Sequence, residues 1–174
     1  MLKKQNDRRS KSTVLLFPAQ TPMWEEKDIF FLFSIHQVIS LLNQDHIPTP
    51  PDKSAKIVGQ AEWRGNNLPL ISLENCLELP AAETVKDQRI VAIREVYRDK
   101  DNELKDLYAL CQLNAAIRKL QLPFDSRPIT VPGCIENPSL LKGVYEMEKC
   151  ILLMVNLRSI LGISTLSNSK VTVN

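Results

Sequence analysis

The residues in this 174-residue chain that could do chemistry are four cysteines, two histidines and scattered carboxylates, and none has the spacing that chemistry needs. His36 is read in an extended segment and His46 in a polar turn before proline. Neither belongs to an HExxH or HxH pattern or has a cysteine at ligand spacing, so no metal site is expected. Cys76, Cys111, Cys134 and Cys150 form no CxxC pair and lie within or beside apolar segments, where a thiol acts as a small buried hydrophobe. That usage fits a reducing cytoplasm. Five glycines are too few for a phosphate-cradling loop, and GxGxxG, GxxxxGK[ST] and GxSxG are all absent. Glu25-Glu26 and the acidic residues of 98–106 read as solvated loop charges rather than an acid–base pair. The expectation is a protein with no catalytic residues and no cofactor.

What remains is Glu62-Trp63-Arg64-Gly65, followed by Asn66-Asn67-Leu68-Pro69 between two apolar segments. Gly and Asn tolerate left-handed backbone angles, so a tight hairpin is expected here, with Arg64 at its shoulder. Arg64 has two readings at this point. One is a surface arginine in a weak ion pair. The other is an arginine beside a partner-binding surface with Trp63 as its apolar neighbour, both types being enriched at interface hot spots.

A chain of this length holds one ordinary domain, or two very small ones, and buries about 70% of its unfolded surface. Its 44% hydrophobic and 24% charged residues are globular values, and a net charge of +2 is too small for a protein built to neutralise a phosphate backbone. No apolar run approaches the roughly 20 residues of a membrane helix. The basic start precedes only Val14 to Phe17, short for a signal peptide, so export is not expected. Residues 1–12 and 167–174 read as mobile tails around a 13–166 domain. Short β-branched and aromatic segments predict strands at 13–17, 29–35, 38–42, 57–63, 68–73, 89–97, 104–113 and 150–157. Ile47-Pro48-Thr49-Pro50-Pro51 reads as a stiff connection, 98–105 as a hairpin loop, and 114–122 as strand despite helix-favouring alanines.

At an offset of 84 residues the chain resembles itself: Ile47-Pro48 falls on Val131-Pro132, Gly59 on Gly143, Leu70-Ile71 on Met154-Val155, Leu73 on Leu157 and Leu77 on Leu161. Each half reads as apolar-Pro, a glycine, an apolar strand and leucines four apart, which share one face of a helical turn. A five- or six-stranded sheet of this size has too little interior unless it closes on itself or packs on its twin. The predicted fold is mainly β: two packed small barrels with short helical turns.

These residues resemble a CheW-like domain, the coupling module of bacterial chemosensory systems. The G-x-x-N-x-R-G signature of that family stands here as Gly59 to Gly65, followed by Leu68 to Leu73; Val38-Ile39-Ser40-Leu41 matches its V-x-E-I segment. The second-half signature stands as Gly143 and Ile151 to Leu161. The resemblance covers 13–163, most strongly 38–79 and 143–161. It implies a mainly β fold of two packed five-stranded SH3-like barrels with short helical turns, and a non-enzymatic adaptor. One surface would bind the regulatory domain of a CheA-type histidine kinase, and a groove between the barrels would take the helical tip of a chemoreceptor, with no nucleic acid and no membrane insertion. The partner-binding residues expected are Val38, Ser40, Glu62, Trp63, Arg64 and Leu68. Ser40 stands where the family has a glutamate that pairs with the arginine matched by Arg64, Glu62 where it has asparagine, and Ser72 where aspartate is frequent. A divergent adaptor for pilus motility or another noncanonical array is an alternative. The rival from another class, a small β-barrel nucleic-acid binder, would need an aromatic-lined basic face, and aromatics are only 6%.

Overall fold

The computed structural model describes residues 12–42, 56–83 and 87–162. Residues 1–11 of the expected N-terminal tail, the whole expected C-terminal tail 167–174, His46 and the Ile47 to Pro51 connection lie outside them. Eleven strands occur among the described residues: β1 Thr13–Pro18, β2 Asp28–Ser34, β3 Val38–Leu42, β4 Ile57–Trp63, β5 Asn66–Ser72, β6 Gln88–Arg98, β7 Leu104–Asn114, β8 Arg118–Gln121, β9 Arg127–Pro128, β10 Leu141–Met147 and β11 Cys150–Val155. Two short helices, α1 Leu73–Cys76 and α2 Leu157–Ile160, follow β5 and β11. The strands form a five-stranded sheet in the order β3-β6-β7-β5-β4 and a six-stranded sheet in the order β8-β1-β2-β11-β10-β9.

Alternation along the strands builds three apolar layers. Val58, Leu70, Ile90, Ala92 and Leu110 fill the interior of the first sheet. Val14, Leu16, Phe30, Leu32 and Leu152 fill that of the second. Between the sheets lies the largest layer, which includes Phe31, Phe33, Ile71, Val91, Ile93, Cys111, Leu153 and Val155. Strands such as β2 and β11 serve an interior with one face and the shared layer with the other, which is why they read as unbroken apolar runs.

The positions 84 residues apart carry the same local geometry. Antiparallel registers shift between Ile57 and Gly59 in the β4–β5 hairpin and between Leu141 and Gly143 in the β10–β11 hairpin. Ser72 caps α1 by accepting from the Asn75 N–H, and Asn156 caps α2 by accepting from the Ser159 N–H. The two units do not close as contiguous halves, however. β5 pairs in parallel with β7, whereas β11 pairs in parallel with β2, so the N-terminal β1–β2 hairpin completes the second sheet. Sequence offset alone does not report which sheet a hairpin joins. β10 was not anticipated, and His36 lies in the turn between β2 and β3 rather than in a strand.

Candidate partner-binding site

β4 and β5 meet through Trp63 and Asn66, with Arg64 and Gly65 between them at φ 51° and 75°. Positive φ at both central residues matches the right-handed strand twist, which is the hairpin that the Asn/Gly chemistry predicts. Gly65 takes this geometry freely, whereas Arg64 adopts it at a cost of about 1 kcal/mol. The turn is braced by the Asn66 side-chain amide, which donates to the Arg64 carbonyl at 3.3 Å.

Trp63 is buried and is the centre of the site. Its indole Nε1 donates to Ser40 Oγ at 3.0 Å, joining the two edge strands β3 and β4 of the first sheet through side chains. Its ring packs against Tyr108 with centroids 5.6 Å apart. The Arg64 guanidinium lies over the same ring, 4.5 Å from its centroid. Leu68 is half-buried and packs on the first-sheet interior. Trp63, Arg64, Leu68 and Tyr108, with Asn66, Asn67 and Leu107, line an open groove of about 590 Å³.

Four of the six expected residues thus come together: Ser40, Trp63, Arg64 and Leu68. Glu62 is exposed, alternating outward between half-buried Ala61 and buried Trp63, and sits opposite Asn67 in the register. Val38 stands apart from these four. It packs on the layer between the sheets, not on the groove, because it and Ser40 flank the register irregularity where β3 meets β6. Tyr108 is the residue that sequence reading missed. It comes from β7, and only the parallel β5–β7 pairing brings it to the β4–β5 hairpin that carries Trp63.

No carboxylate among the described residues pairs with Arg64. Ser40, standing where a pairing glutamate was expected, is committed to the indole instead. The thiols are poor nucleophiles: burial pushes Cys76 up to about 11, and Cys111 well above its ordinary value. Among the described residues no group of three or more His, Cys, Asp or Glu side chains could hold a metal ion. No helix among them is long and apolar enough to cross a membrane.

At the seam between the sheets, a pocket of about 250 Å³ is lined by residues that include Gln20, Thr21, Asp28, Asn114 and Arg118. The Thr21 hydroxyl oxygen there is buried without a hydrogen-bond partner.

A family model for the CheW-like domain matches residues 23–102. No curated protein matches the chain. Among solved structures the chain is similar to the scaffolding protein TtCheW from Thermoanaerobacter tengcongensis. The two share 15% identity over 89% of this chain and 90% of that chain, with a TM-score of 0.60. At that identity the likeness is one of fold.

Proposed function

We propose that this chain, whose residues 23–102 match a CheW-like domain model, is a non-enzymatic adaptor of a bacterial chemosensory array, coupling chemoreceptors to a CheA-type histidine kinase through surface contacts. The observation that carries this reading is the Arg64 guanidinium laid over Trp63 at a hairpin tip, with no carboxylate among the described residues to pair with it. Stacking holds the planar donor array in place, so little side-chain freedom is lost when a partner carboxylate arrives. Trp63 and Tyr108 beneath it supply the apolar bed typical of an interface anchor. In this reading the groove-side edge of the first sheet docks the kinase regulatory domain. The seam receives the receptor tip, the polar pocket with the Thr21 hydroxyl taking one of its side chains.

The test is titration of the CheA-type regulatory domain from the same cell against the wild-type chain and Arg64→Glu. Arg64 is exposed and its backbone geometry does not depend on its charge, so the circular dichroism spectrum should be unchanged. Affinity should fall about tenfold or more, as for loss of an interface anchor. An unchanged titration rejects the role of this site.

A further inference from the structure

The β6–β7 hairpin is longer than its sheet. β3 leaves β6 at Ile93, and β5 pairs with β7 only over Leu110 to Gln112. The stretch from Arg94 to Asp106 is therefore a two-stranded arm paired mainly with itself. Its two faces differ. On one, Glu95 is buried, accepting from the Leu157 N–H at 3.0 Å and pairing with Lys142 at 2.8 Å, and Tyr97 lies under the Arg158 guanidinium. That face is covered by the α2 end of the second unit.

The opposite face is open. The register places Arg94 beside Tyr108, Val96 beside Asp106 and Arg98 beside Leu104. Successive residues on one face are about 6.8 Å apart along a strand, so this face runs about 14 Å out from Tyr108, which already lines the groove beside Trp63. Val96 is 49% exposed and Leu104 64% exposed, two large apolar side chains on the same open face. The charge around them is lopsided. Arg94, Arg98 and the adjoining Arg64 face one acid, Asp106, which pairs with Arg94 at 2.8 Å. Arg98 is held by donating to the Asn102 carbonyl at 2.8 Å.

We propose that this arm face is a second docking surface, whose occupant is an acidic amphipathic helix of a partner protein. Its apolar side would lie on Val96 and Leu104, and its carboxylates would meet Arg98 and Arg64. Two strands about 4.8 Å apart with their side chains make a face as wide as one helix, and its length matches about two and a half helical turns. Strand addition at the arm's edges fits less well, because Arg94, Arg98, Lys105 and Asp106 place charge along both of them. The surplus of arginine selects an acidic helix over a basic one. This surface goes beyond the kinase and receptor contacts proposed above and shares only Arg64 with them.

The experiment uses the full chain and two fluorescein-labelled three-turn helical peptides, with leucines on one face and either glutamates or lysines on the other, followed by anisotropy. The glutamate peptide should bind saturably and about tenfold or more tighter than the lysine peptide. Leu104→Ser and Val96→Ser should each weaken it about tenfold. Arg98→Glu should reduce or reverse the preference between peptides. All three side chains lie on the exposed arm face, so near-ultraviolet dichroism should show the fold intact. Saturable binding that ignores peptide charge, no saturable binding, or indifference to Leu104→Ser overturns the proposal. So does sedimentation showing a dimer that Leu104→Ser dissolves, since the occupant would then be a second copy. Arg64→Glu against the kinase domain reads the earlier proposal, and Leu104→Ser should leave that titration unchanged, so the two can fail separately.

Discussion

Trp63 has one hydrogen to donate, and its partner, Ser40, lies on the opposite edge strand of the same sheet. A buried indole N–H without a partner is costly, so Ser40 at this position satisfies the ring and ties β3 to β4 at once. Ser40→Ala should lower stability in urea unfolding by about 1 kcal/mol, the usual worth of one such bond. Unaltered stability would mean that water replaces the hydroxyl and that the strand link contributes nothing. The groove residues were partly legible before the fold was known. Trp63, Arg64 and Gly65 announce themselves by type and order, because a tight turn is decided by its own few residues. Tyr108 was not legible, since it reaches the site only through the parallel pairing of β7 with β5, two strands that are not neighbours in the chain. That Val38 and Ser40 face different layers was not legible either, because the register irregularity between them is not written in residue types.

Among the elements, β9 is only two residues long and pairs with β10 at Tyr145 and Glu146. It is anchored by charge as well: the Glu146 carboxylate binds Lys27, just before β2, and Arg127 of β9. Hydrogen bonds from Lys27 and then Arg127 hold the Glu146 carboxyl below its ordinary value. A carboxyl with a lowered folded-state value stabilises the native arrangement above its unfolded value, and that contribution is lost as pH falls through the folded one. The Ile129 N–H, which donates to the Val144 carbonyl at 3.0 Å, reports on this junction. Its hydrogen-exchange protection should fall as pH drops below about 4, while Glu146→Gln should be less protected at neutral pH and lack that step. Protection that is flat with pH in the wild type would show that the ion pairs do not hold β9. β10 itself escaped sequence reading because Lys142, Gly143 and Glu146 interrupt the apolar residues of Leu141 to Met147, so no unbroken apolar run marks the strand.

At the scale of the molecule, the first sheet is built from a continuous stretch, 38–114, while the second takes β1–β2 from one end of the chain and β8–β11 from the other. The repeat was legible because hairpin, bulge and helix cap are local and recur at a fixed offset. The exchange of the first hairpin was not, because parallel pairing of β2 with β11 joins segments that no sequence neighbourhood relates. The consequence is mechanical. Neither sheet can bury both of its faces without the other, and the layer between them is the largest apolar cluster. Phe31 lies fully buried in that layer, on β2, beside Leu153 of β11 in the register. Phe31→Ala should cost about 3–5 kcal/mol, the usual range for a buried aromatic truncated in a packed core. The loss should register equally at both units. Trp63 reports on the first sheet, and Trp24, which packs on the shared layer from the segment before β2, reports on the second. Single-tryptophan variants made with Trp24→Phe or Trp63→Phe should therefore show coincident urea transitions, and Phe31→Ala should move both midpoints together. A first-sheet transition that stays in place while the Trp24 signal shifts would mean that the two units fold independently. In that event a partner could separate them, and their shared layer could not hold the Arg64 groove and the seam pocket in fixed relation for two proteins to read at once.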